Sequence, residues 1–106
     1  MSIEETIDEI VSRIVNGFHP EKIVLFGSYA RGTADIHSDV DLLVVMPVPG
    51  SRRRLATEID LALVGIDLPA DVIVVTPEDV QLNKDRIGTI IRPVIREGKV
   101  LYERAA

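Results

Sequence analysis

The sequence predicts a layered α/β domain of the α+β kind, a small mixed β-sheet flanked by helices in the order α-β-α-β-α-β-α-(α)-β. Three observations carry that reading. Apolar residues recur at helical spacing near the N-terminus, three short runs rich in β-branched residues read as strands, and helix start and stop signals separate those runs. At 106 residues the chain has room for one core, so residues 1–106 are expected to form a single domain.

Each element has its own local reason. Ser2 and Glu5 have the spacing of a capping box, and Ile3, Ile7, Ile10, Val11 and Ile14 follow on one face until Asn16-Gly17 supplies a stop. Lys22 to Phe26 is a nearly continuous apolar run, read as a buried strand that ends at Gly27-Ser28. Tyr29 to Arg31 has room for only a short helix before Gly32, and a polar loop leads to the second strand, residues 39–45. Ser51 can cap a helix with Leu55, Ile59, Ala62 and Leu63 on one face and Gly65 at its end. Ala70 to Val75 reads as the third strand, and Thr76-Pro77-Glu78-Asp79 as a helix start with proline at the first helical position. Ile87, Ile90, Ile91, Val94 and Ile95 trace a further helix up to Gly98. Pro93 falls inside it, so either the helix begins near Ile91 or the proline kinks it. Lys99 to Glu103 is left as a last edge strand.

Composition narrows the function. Apolar residues make up 46% of the chain and mean hydropathy is +0.21, rich for a small domain; a partner or a homo-oligomer would account for the surplus. No run approaches the roughly 18 apolar residues of a membrane span. The acidic start does not resemble a secretion signal, so a cytoplasmic location is expected. A net charge of -5 argues against direct binding along nucleic-acid phosphates. That charge is local: residues 1–50 hold Arg13, Lys22 and Arg31 against eight carboxylates, whereas residues 51–106 balance at nine of each sign.

The acidic half also holds the chemistry. Asp39 and Asp41 are two apart, so on a strand they project from one face. Adjacent carboxylates repel, and a hard cation such as magnesium, which takes oxygen ligands and keeps phosphates in its shell, relieves that repulsion. The helix between the second and third strands calls for a right-handed crossover, making them parallel and bringing Asp71 to the same sheet edge. The short link between the first two strands makes them antiparallel, so Gly27-Ser28 arrives there too. Three carboxylates can hold two divalent ions. A glycine turn with free amides, the Ser28 hydroxyl and the Arg31 guanidinium suit a polyphosphate.

Gly27-Ser28, Ala30-Arg31-Gly32, the run from Ser38 to Val44 and Asp71-Val72-Ile73-Val74 occur in an order and strand context that resembles the DNA polymerase beta-like nucleotidyltransferase superfamily. Within it, the likeness is to the minimal nucleotidyltransferases, and it extends over nearly the whole chain. The resemblance implies transfer of a nucleoside monophosphate, AMP from ATP, to a hydroxyl. It further implies that Asp39 and Asp41 ligate two magnesium ions, that Asp71 joins one of them and helps deprotonate the acceptor, and that Gly27-Ser28 and Arg31 hold the triphosphate. Small members of the family pair with a helical HEPN-domain ribonuclease toxin and act as its antitoxin, in some cases by adenylylating a tyrosine. Two alternatives remain at this level: an idle antitoxin that masks its partner by binding, and transfer to a small molecule. Three local features have plainer readings. His37 reads as a loop histidine without a ligand partner, and Arg52-Arg53-Arg54 as a solvated basic run. The segment 35–46 lacks the glycine and glutamate of a calcium-binding loop.

Overall fold

A computed structural model describes residues 2–105 of the chain. Helix α1 (Ile3–Phe18) opens with the expected box: the Glu5 amide donates to Ser2 Oγ and the Ser2 amide to Glu5 Oε1, each at 3.1 Å. It does not stop at Asn16-Gly17. Phe18 packs against the core and holds one more turn. His19 then takes the left-handed conformation at φ 51°, its amide bonded to the Val15 carbonyl at 3.0 Å, before Pro20 bars continuation.

The elements that follow are β1 (Lys22–Phe26), α2 (Ser28–Arg31), β2 (Val40–Val45), α3 (Arg52–Ala62), β3 (Ala70–Val75), α4 (Pro77–Asn83), α5 (Ile91–Glu97) and β4 (Lys99–Glu103). The predicted order holds, with differences at the margins. Asp39 lies just outside β2, and Ser28 already belongs to α2. Pro93 is the third residue of α5, where its missing amide would have no helical acceptor, so the helix begins at Ile91 and is not kinked. Ile87 and Ile90 therefore precede the helix and lie in the open, 82% and 49% exposed.

The sheet runs β3-β2-β1-β4, with β2 and β3 parallel and β1 antiparallel to both β2 and β4. Alternation along the strands divides the apolar side chains between two faces. Ile23, Leu25, Val40, Leu42, Val44 and Val74 meet Ile7, Ile10 and Ile14 of α1 and Ile59 of α3. Val24, Leu43, Val45 and Val75 meet Ile91 and Val94 of α5, with Val80 of α4 packed beside them. Both faces of the sheet are covered, which is why β1 reads as a nearly continuous apolar run and β2 is apolar apart from Asp41.

Side-chain contacts lock the layers. Arg13 on α1 donates to the carbonyls of Ala62 and Val64 at 3.2 and 2.9 Å, satisfying groups that the end of α3 leaves free. Arg52, expected to be solvated, pairs with Asp79 at 2.8 Å and ties α3 to the start of α4. At Gly98 the chain passes so close to β1 that an added Cβ would lie 2.9 Å from the Leu25 carbonyl, so glycine is required where α5 turns into β4.

Candidate active site

The site lies where β1 ends and β2 and β3 begin. Phe26 is the register partner of Asp41 across the antiparallel pair, and Asp41 is the register partner of Asp71 across the parallel pair. Neighbouring strands are about 4.8 Å apart, so the three positions form one row along the sheet edge. Asp41 and Asp71 alternate with the residues packed under α1 and α3, which puts both carboxylates on the face shared with α5. Asp41 is the one residue of β2 that is not buried.

Asp39 is delivered to that edge by a structured loop. Asp35 Oδ1 accepts from the His37 amide at 2.8 Å and from the Ser38 hydroxyl at 3.3 Å, and the Asp35 amide donates back to Ser38 Oγ at 2.9 Å. The Val40 amide bonds the Pro69 carbonyl at 2.8 Å, fixing the start of β2 against the chain leading into β3. Asp35 was legible only as part of a polar loop. The Asp-x-x-Ser spacing, which lets the serine side chain bond the aspartate's amide while the aspartate side chain accepts from the amide two residues on, is the signal that could have marked it.

Gly27 determines how the turn meets the carboxylates. Its backbone sits at φ 73° and ψ -154°, a region open almost only to glycine. A Cβ there would lie inside the contact shell of Asp41 Oδ2 and 3.1 Å from Asp41 Cγ. The missing side chain is thus the space the Asp41 carboxylate occupies. The amides of Ala30 and Arg31 bond the Gly27 carbonyl, and no side chain caps α2, which leaves the amides of Ser28 and Tyr29 without a helical acceptor.

Burial raises the Asp41 carboxyl above its ordinary value, the charges of Asp71 and Asp39 push it the same way, and the Arg31 guanidinium offsets part of the effect. Asp39, Asp71 and Arg31 are therefore each within electrostatic reach of Asp41. Among the described residues no group of three His, Cys, Asp or Glu side chains is drawn together at metal-ligand spacing. Mutually repelling carboxylates on one edge and an all-oxygen donor set suit a hard divalent cation better than a transition metal.

Sequence reasoning missed an open cleft of about 330 Å³ beside the turn. Phe26, Gly27, Ala30 and Arg31 form one wall, and Ile90, Pro93, Val94 and Glu97 the other. It borders the Gly27 turn, and none of the three aspartates lines it. His37 is exposed in the loop and makes no side-chain hydrogen bond among the described residues.

The profile of the family described as "Nucleotidyltransferase domain" matches residues 4–95. This chain belongs to that family. It is a nucleotidyltransferase, and its mixed sheet with flanking helices is the nucleotidyltransferase fold. The chain is 33% identical over 111 aligned positions, covering 96% of itself and 73% of its relative, to a protein of Methanocaldococcus jannaschii named "Putative protein adenylyltransferase MJ1305". Among solved structures it superposes at a TM-score of 0.64 on a nucleotidyltransferase from Sulfolobus solfataricus, with 23% identity, over 94% of this chain and 79% of that one. A toxin-antitoxin structure with AMP-PNP gives a TM-score of 0.57 and 24% identity, over 97% of this nucleotidyltransferase and 75% of that chain.

Proposed function

We propose that this nucleotidyltransferase moves AMP from ATP to the hydroxyl of a partner protein, a tyrosine of a HEPN-type ribonuclease toxin, and thereby acts as an antitoxin. The observation that carries the reading is the fit of Asp41 against Gly27. The Gly27 turn touches Asp41, whose carboxyl is pushed up by Asp71 and Asp39, so free turn amides and repelling carboxylates share one edge where a polyphosphate and its cations would bridge them. The relative named a protein adenylyltransferase supports a protein acceptor. The toxin-antitoxin neighbour with AMP-PNP supports the partner class and the adenine nucleotide.

In this reading the Ser28 and Tyr29 amides, the Ser28 hydroxyl and Arg31 hold the β- and γ-phosphates. Asp39, Asp41 and Asp71 would hold magnesium, which would supply positive charge to offset the negative charge building on the reacting phosphate. Asp71 takes the acceptor's proton, the acceptor oxygen forms a bond to the α-phosphorus, and the bond from that phosphorus to the bridging oxygen breaks. Pyrophosphate departs on the Arg31 side.

The test is label transfer from radiolabelled ATP to a HEPN-type partner by the wild type and by Asp41→Ala, with and without a chelator. Labelling that needs both Asp41 and the divalent ion is expected; equal labelling without either would overturn the reading. Exposed Ile36, at 94%, keeps the masking alternative in view, since it stands three residues from Asp39 without apolar cover. Full neutralisation of the toxin by Asp41→Ala at equal stoichiometry would favour masking.

A further inference from the structure

The segment from α4 to α5 combines three features that the reaction does not use. In a protein of net charge -5, residues 82–96 hold Lys84, Arg86, Arg92 and Arg96 against the lone carboxylate Asp85. The same stretch displays Leu82 and Ile87, 68% and 82% exposed, next to Ile90 in the cleft wall. The loop is also held in shape. Asn83 Nδ2 donates to the Asp79 carbonyl at 2.8 Å, the Arg86 amide to the Asn83 carbonyl at 3.0 Å, and the Thr89 hydroxyl to the Arg86 carbonyl at 3.1 Å.

An isoleucine held in water by a hydrogen-bonded loop forgoes the stabilisation that burial would bring. Nothing within the described residues covers it. Three of the cations around it are available: Lys84 and Arg86 are exposed, and Arg96 reaches Asp85 only at 3.5 Å with both side chains more than half exposed, so that pair exchanges readily for another carboxylate, whereas Arg92 is partly buried.

We propose that residues 82–96 are the docking surface for the acceptor protein, and that what docks is an acidic amphipathic helix whose apolar face covers Leu82 and Ile87. The inference rests on the protein-acceptor reading above. Charge complementarity selects the partner, because a cationic patch on a protein of net negative charge attracts carboxylates. The aliphatic side chains among those cations favour a helix with an apolar face over a nucleic-acid strand. Ile90 connects the patch to the cleft that Gly27 and Arg31 share, so a helix seated there lies beside the phosphate turn.

The probe is a fluorescent amphipathic helical peptide with glutamates on one face, leucines on the other and one terminal tyrosine. Its lysine counterpart and a single-stranded RNA oligonucleotide serve as competitors, and binding is read by anisotropy. The acidic peptide should bind the wild type, and both Ile87→Glu and the pair Lys84→Glu with Arg86→Glu should weaken it about tenfold or more. AMP-PNP affinity and Tm of the variants should stay unchanged. No binding of the acidic peptide, equal binding of the lysine peptide, or unaltered affinity in both variants would overturn the proposal. RNA binding that the same variants abolish would reassign the surface to nucleic acid. Label transfer to the peptide tyrosine is scored separately: docking without transfer would count against the catalytic reading and leave the surface standing.

Discussion

Replacing Gly27 by alanine separates a backbone effect from a contact with the site. The φ of 73° with ψ of -154° lies in a region that costs a non-glycine residue on the order of 1 to 3 kcal/mol. The new methyl must also displace the Asp41 carboxylate, whose Cγ would stand 3.1 Å away. For a domain of this size a loss of about 2 kcal/mol lowers Tm by roughly 8 to 16 °C. Gly32 provides the control. It has φ 76° with nothing within 4 Å of its virtual Cβ, so Gly32→Ala carries a backbone penalty alone, about 1 kcal/mol. Thermal denaturation of Gly27→Ala, Asp41→Ala and the double variant closes a cycle. Gly27→Ala should destabilise less in the Asp41→Ala background, because the displaced carboxylate is gone. Equal destabilisation in both backgrounds would refute the claim that Gly27 makes room for Asp41.

Asp41→Asn should raise Tm by a few degrees while abolishing label transfer, since it removes a charge that burial and two neighbouring carboxylates disfavour; a lower Tm would contradict that balance. Magnesium should raise the Tm of the wild type and leave that of Asp41→Asn nearly unchanged, as differential scanning fluorimetry can show. Asp79, held below the ordinary carboxyl value by the Thr76 amide and hydroxyl and by Arg52, stabilises the fold above its unfolded pKa of about 3.9. That contribution fades as pH falls through the lower folded value. The Tm gap between wild type and Asp79→Asn should therefore be full near neutrality and shrink in acid, and Thr76→Ala should cost about 1 kcal/mol in urea denaturation. Ile10→Ala, at a position with no exposure, should cost about 2 to 5 kcal/mol by the same assay without altering AMP-PNP affinity.

The row of site residues was legible because charge stands out where everything around it is apolar. Asp41 interrupts a strand otherwise fully buried, and the directions of the first three strands followed from whether each connection was a short loop or a helix. What escaped depended on contacts distant in sequence. The cleft exists because α5 lies across from α2, a pairing that no local pattern encodes. Pro93 left the start of α5 open, because periodicity alone counted Ile87 and Ile90 as helix residues although they face water. Arg52 read as solvated because its partner, Asp79, lies 27 positions away. Gly17 gave a false stop because the tertiary contact of Phe18 outweighs the modest helix penalty of one glycine.

Asp41 and Asp71 face each other across β2 and β3, on strands whose alternate residues fill opposite cores. Sliding β3 by one position would point Asp71 into the oily layer beneath α3 and strip Val74 of its burial. A misaligned sheet would thus lose its core at the same moment as its carboxylate row. The molecule has no well-folded form with β3 out of register, so wherever the sheet survives intact, Asp41 and Asp71 stand side by side.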